Sequence, residues 1–214
     1  MKRKKRNEKP RQTLLIVTSG EAESLYFSQM RKDSRYTNMT IIWDSEAQSA
    51  EDLIKRAAKE RTRQKFDSVW CFFGLQNLEL SDQQLAEAQA LAKKRKVQLA
   101  WLKPDLSLWY LLHLQAPRAL INDGSLIASA LRGILPEFDT SPEYLLGAGS
   151  ALHLKLFPYK AQAVVNAGAY NQLASQAGLA TAPVNMTKLI NDISTVCGTA
   201  DMTHNQKLIG LKNN

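Results

Sequence analysis

Leu14-Leu15-Ile16-Val17-Thr18-Ser19-Gly20 is an unbroken apolar and β-branched run that stops at a hydroxyl residue and a glycine. Such a run is too short for a buried helix, and it predicts a buried strand over Thr13–Thr18. Helical spacing takes over at once, with Leu25, Tyr26 and Met30 recurring between Glu21 and Lys32. Met39–Trp43 is a second strand, closed by Asp44-Ser45. Between Ala50 and Lys65, Leu53, Ile54, Ala57 and Ala58 share one face, while Lys55, Arg56, Lys59, Glu60 and Arg61 cover the other. That pattern is an amphipathic helix. Val69-Trp70-Cys71-Phe72-Phe73-Gly74-Leu75-Gln76-Asn77 carries a third strand over Asp67–Phe73, almost continuously apolar and therefore central, and ends in a polar turn. Ser81-Asp82 caps a helix that runs through Leu85, Ala88, Leu91 and Ala92 to Lys93-Lys94-Arg95-Lys96, a solvated basic terminus. Val97–Leu102 is the fourth strand, ended by Lys103-Pro104. The alternation βαβαβαβ with short connections predicts an α/β fold, a mainly parallel sheet with helices on both faces.

The C-terminal half is helical in pattern. Leu106–Leu114 is apolar and aromatic and reads as a buried helix. Leu126–Leu135, Tyr144–Phe157, Ala161–Ala177 and Met186–Cys197 are helix-compatible, punctuated by Pro136, Pro142, Pro158 and Pro183. The division expected is a basic flexible arm over 1–11, an α/β core over 12–114, a helical extension of the same domain over 115–198, and a loose polar tail over 199–214.

With 214 residues and 44% hydrophobic composition, the chain has enough apolar material for one ordinary domain. No apolar run reaches the ~18 residues that span a bilayer, and the basic start leads into a strand without a small-residue cleavage site. Two cysteines do not make a disulfide framework, and Cys71 within the third strand reads as a small buried hydrophobe. A cytoplasmic protein without membrane contact is expected. Lys2, Arg3, Lys4, Lys5, Arg6, Lys9 and Arg11 stand against Glu8 alone, so +6 of the total charge of +8 lies in the first eleven residues. An arm of this kind attracts polyanions, and those seven side chains are the candidate nucleic-acid contacts.

In an open α/β sheet, chemistry gathers where the strands end. A divalent cation there needs hard oxygen ligands, usually carboxylates. Ser19 ends the first strand, and Gly74, Gln76 and Asn77 follow the third. Glu21, Glu23, Asp44 and Asp105 are the acids near strand ends. Each also has a plain structural use: Glu21 and Glu23 favour a helix N-terminus, and Asp44 and Asp105 cap turns or helices. The histidines and cysteines lack zinc-ligand spacing. His113 and Trp109 read as packed core residues. Gly147-Ala148-Gly149-Ser150 lacks the strand, third glycine and lysine of a phosphate loop.

Four segments in order resemble the RloB-like family, found in bacterial restriction and abortive-infection loci and built on a Toprim-like fold. Gly20, Glu23, Tyr26 and Phe27 match its first motif, with one residue fewer between Gly20 and Glu23. Val69, Trp70, Cys71 and Phe73 match the second. Pro104, Leu108, Trp109, Leu111, Leu112 and His113 match the third, and Pro183-Val184-Asn185-Met186-Thr187-Lys188-Leu189 resembles the start of the closing helix. The departures are systematic. The Toprim glutamate falls on Ser19, the Asp-x-Asp on Gly74-Leu75-Gln76, an adjoining acid on Asn77, the asparagine before the proline on Lys103, and a further acid on Ser107.

The resemblance implies a Toprim-like sheet with a helical C-terminal region, and in Toprim enzymes the carboxylates hold magnesium for phosphoryl chemistry. With those carboxylates replaced, a catalytically degenerate protein without metal or other cofactor is expected. It would bind nucleic acid or a protein partner, such as an ATPase from the same phage-defence or mobile-element locus. The alternatives are an active magnesium-dependent nuclease that uses Glu21, Glu23, Asp44 and Asp105, and a purely structural or oligomerising module.

Overall fold

The computed structural model describes residues 12–75 and 78–208. Four strands, β1 (Leu14–Thr18), β2 (Met39–Trp43), β3 (Ser68–Gly74) and β4 (Gln98–Leu102), form one sheet in the order β2-β1-β3-β4. Every pairing is parallel, with Leu14 level with Met39 and Ser68, and Trp70 level with Gln98. β1 and β3 are therefore the two inner strands, buried on both faces, which is why their sequences are continuously apolar instead of alternating.

The period-2 geometry of the strands sorts their side chains into two cores. Leu15, Val17, Val69, Cys71, Phe73 and Trp101 face α2 (Ala50–Gln64) and α3 (Asp82–Arg95). Leu14, Ile16, Trp70, Phe72, Ala100 and Leu102 face the other way, onto α1 (Glu21–Asp33) and α4 (Leu106–Leu114). This second core is the larger, because α5 (Gly124–Ile134), α8 (Lys160–Gln176) and α9 (Thr187–Leu208) add Ile127, Leu131, Tyr170 and Ile190 to it. α4 packs against both α5 and α8, and all of Leu106 to His113 is buried. A helix surrounded in this way is apolar all round, as its sequence is.

Local chemistry sets the helix ends. Ser81 and Gln84 form a reciprocal capping box at the start of α3, and Ser49 caps α2 by accepting from the Asp52 amide. Both helices end on a lysine in the left-handed region, Lys65 and Lys96, each with φ of 57°. The outer edge of β4 is covered by the segment before α9: the Lys103 amide donates to the Pro183 carbonyl at 2.9 Å, and the Asn185 amide to the Trp101 carbonyl at 2.9 Å. The stretch Pro183–Asn185 thus blocks an edge that would otherwise invite strand addition. Across the amino edge of the sheet, Asp192 of α9 accepts from Trp70 Nε1 at 2.7 Å and from the Ser68 hydroxyl.

Two expectations are corrected. Tyr144–Phe157 is not one helix but two, α6 (Pro142–Leu146) and α7 (Leu152–Leu156). The break falls at Gly147–Ser150, where the Gly149 amide turns back to the Tyr144 carbonyl at 2.7 Å. A side chain at 149 would meet the Tyr144 ring, at 2.4 Å from Cε1. The segment expected as a loose tail from Thr199 is helical as far as Leu208, since nothing between the two positions is proline or glycine. Residues 209–214 lie outside the described residues, as does the 1–11 arm. Among the described residues, no helix is long and apolar enough to cross a membrane.

Candidate functional site at the carboxyl edge of the sheet

Because every strand is parallel, all four carboxyl ends lie at one edge, and the predicted site positions that the structure describes are brought there. Ser19 leaves β1 with its amide directed to the Phe72 carbonyl at 3.4 Å, and its hydroxyl is buried without a hydrogen-bond partner. Gly20 opens α1 without a side-chain cap. The Glu23 carboxylate folds back over Gly20, so closely that a β-carbon at position 20 would lie 1.7 Å from Glu23 Oε2. Glu23 is itself only 2% exposed. Gly20 is therefore required by an approach of an acid to the backbone at the end of the first strand. Gly74 ends β3, level with Leu102. Gln76 and Asn77 lie outside the described residues.

Asp105 follows the cis Lys103–Pro104 peptide and caps α4: its Oδ1 accepts from the Ser107 amide at 2.8 Å and from the Ser107 hydroxyl. Ser107 thus serves to close the cap. Glu23, Asp105, Ser107 and Tyr110 line a cavity of about 220 Å³, roofed by Thr140 and Leu145. Leu145 is tied to α1 by its carbonyl, which accepts from Gln29 Nε2 at 2.7 Å.

The other two acids do not join this cavity. Glu21 lies in the first turn of α1, half-buried, where its charge complements the helix N-terminus. Asp44 follows β2, its amide donating to the Thr18 carbonyl at 3.0 Å and its Oδ1 accepting from the Glu46 amide at 3.3 Å. Its charge acts on Cys71, on the α2–α3 face of the sheet. Of the four acids, then, two converge and two do not. Among the described residues, no group of three or more His, Cys, Asp or Glu side chains is placed to hold a metal ion.

The sequence offers Tyr110 as a buried core ring or a base-stacking ring, and not as a neighbour of the carboxylates. Its hydroxyl is buried and has no hydrogen-bond partner, and it lines the cavity beside both carboxylates. Burial first, then the charges of Tyr26, Glu23, Tyr144 and Asp105, push its ionisation far upward, so it stays a neutral phenol. The resulting chemistry is two carboxylates and a phenol in a small pocket. Among the described residues at this edge, Ser19 offers a hydroxyl, Gly74 no side-chain donor, and Asp105 Oδ1 is engaged by Ser107.

His113 is a core residue in the structure. Its ring stands edge-on to Trp109 at a centroid distance of 4.9 Å, and its Nδ1 donates to the Trp109 carbonyl at 2.8 Å. Burial pushes its pKa down to about 4, against about 6.5 for an exposed histidine. The folded state therefore holds it neutral where the unfolded chain binds a proton. Its contribution to stability is complete above about pH 6.5 and is lost as pH falls towards about 4. Urea unfolding of the native protein and of His113→Gln across that window is expected to show slopes differing by about one proton, roughly 1.4 kcal/mol per pH unit. Parallel curves would mean that His113 is not buried neutral.

A model of the family described as RloB-like protein matches residues 14–193. No curated protein and no solved structure matches the chain.

Proposed function

We propose that this chain, which belongs to the RloB-like family, is a catalytically degenerate member that works by binding and not by cleavage. The observation that carries this reading is the chemistry of the carboxyl edge. Ser19, Gly74 and Ser107 stand where the resembled family has carboxylates, and Ser107 is turned inward to hold the Asp105 cap. Only Glu23 and Asp105 remain in the cavity, and neither is supported by a third acid among the described residues. A phosphate-transfer centre of the Toprim type needs an anionic cage for the ion that stabilises developing charge. The partner would be nucleic acid, reached through the basic residues 1–11, or a protein such as an ATPase of the same defence or mobile-element locus.

Calorimetric titration with manganese, together with a plasmid-cleavage assay in magnesium, tests the reading. Neither binding in the micromolar range nor cleavage is expected. Micromolar manganese affinity, with magnesium-dependent cleavage that disappears in Glu23→Gln or Glu21→Gln, would overturn it in favour of an active nuclease.

A further inference from the structure

Six cations gather at the opposite edge of the sheet from the carboxylate cavity. α2 leads into β3 and α3 leads into β4, so both helices end at the amino edge. There they pack side by side and enclose a groove of about 490 Å³. It is lined by Lys55, Lys59 and Arg61 from α2 and by Lys94, Arg95 and Lys96 at the end of α3, with only Ala58 and Thr62 between them. No carboxylate and no aromatic ring lines it.

Cations in the last turn of a helix complement its dipole, which accounts for Lys94 and Arg95 singly. It does not account for Lys55 and Lys59, which stand in the middle of α2 yet line the same groove. The charges are close enough to act on one another. The Lys55 ammonium is held up by its hydrogen bond and charge contact with Glu51, and Arg95 across the groove acts in the opposite sense. Glu60, the acid between Lys59 and Arg61, does not relieve them: it is 1% exposed and engaged by Arg63 at 2.7 Å and Arg56 at 3.6 Å. Of the six lining cations only Lys55 forms a salt bridge among the described residues, with Glu51 at 2.8 Å. Like charges gathered from two helices repel, and a polyanion laid between them removes that repulsion.

The chain reaches β1 at the same edge. The Thr13 amide and hydroxyl donate to Asp67 Oδ2 at 2.8 and 3.0 Å, beside the connection from α2 to β3. The seven cations of residues 1–11 therefore precede, in sequence, a point anchored at the end of α2.

We propose that the α2–α3 groove is a binding site for the phosphate backbone of a nucleic-acid duplex. The inference rests on the nucleic-acid branch of the reading above, and it assigns that function a surface on the folded body. A duplex is favoured over a single strand because single-strand grooves pair their charge with aromatic platforms for the bases, and this groove has none. Contact with phosphates alone positions the duplex without reading its sequence.

The test is fluorescence anisotropy with labelled 20-base-pair duplexes of DNA and of RNA, titrated with the full-length protein over a series of salt concentrations. Three variants are compared with the native chain. The first is Lys59→Gln/Lys94→Gln/Arg95→Gln in the groove, all exposed. The second is Lys2→Gln/Lys4→Gln/Lys5→Gln in the N-terminal residues. The third is Arg118→Gln/Lys155→Gln/Lys188→Gln, which removes the same charge from other exposed positions. Each lost phosphate contact lowers the log–log salt slope by about 0.9 for B-DNA, so the groove variant should lower it by about 2–3 and the third by much less. The tighter of the two duplexes identifies the source of the phosphates.

A groove variant with native affinity and slope, beside an N-terminal variant that loses both, overturns the groove and leaves the N-terminal reading standing. An equal loss in the third variant also overturns the groove, since bulk charge would then be the whole effect. No salt-dependent duplex binding by the native protein overturns both readings. Equal binding to vesicles of anionic phospholipid or to polyglutamate, lost in the same groove variant, overturns the assignment to nucleic acid.

Discussion

Trp109→Ala is expected to lower the unfolding free energy by about 3–5 kcal/mol, the cost of emptying a large aromatic site in a packed core. Trp109 is fully buried in α4, the helix enclosed between the sheet side and α5 and α8. Its indole Nε1 donates to the Tyr26 hydroxyl at 2.9 Å, and its ring is the wall against which His113 stacks edge-on. Truncation would therefore leave a cavity and remove the donor that satisfies a buried phenol. For a chain of this size the melting temperature should fall by on the order of 10 °C. Trp109→Phe keeps most of the volume and loses the indole N–H, so it should cost less, with about 1 kcal/mol for the hydrogen bond. A Trp109→Ala protein that melts like the native one but no longer binds its ligand would reassign the ring to stacking.

Deleting residues 1–11 should change binding more than any single substitution. Seven cations set the ceiling on the phosphates they neutralise. If three to five or so are engaged on duplex DNA, the log–log salt slope falls by roughly 3–5, which amounts to orders of magnitude in affinity between low and moderate salt. The loss should be nearly equal for unrelated duplex sequences, because contacts to phosphate carry no base information. An unchanged slope after deletion would remove these residues from the interface and leave the α2–α3 groove as the phosphate contact. The deletion and the groove variant remove different cations. Their effects on the slope should add if both surfaces touch the same duplex.

The strands and the first four helices were legible because each rests on a short-range signal. β1 and β3 are continuously apolar because inner parallel strands have no solvent face. α4 spans Leu106–Leu114, as its composition predicts, between the Asp105 cap and the polar stretch from Gln115. The break inside Tyr144–Phe157 was harder to see. Its apolar spacing fits one helix, but the backbone leaves the helical region at Gly147, and the Gly149 amide turns back to the Tyr144 carbonyl.

The site divides in the same way. That Ser19, Gly74 and Ser107 carry no carboxylate is a property of the sequence alone, and it holds in any conformation. Which acids meet is a property of the fold. Glu21 and Glu23 are two residues apart, yet helical rotation and the absent side chain of Gly20 bury Glu23 in the cavity and leave Glu21 at the helix N-terminus. The same holds for charge. Lys93–Lys96 reads in isolation as a solvated helix end, and Lys55, Lys59 and Arg61 as the polar face of an amphipathic helix. Only the parallel sheet, by bringing the ends of α2 and α3 to one edge, makes them a single groove. Local patterning determines the elements because hydrophobic periodicity and caps act within a few residues. Convergence of charge is decided by packing, because the residues that meet are some forty apart in sequence.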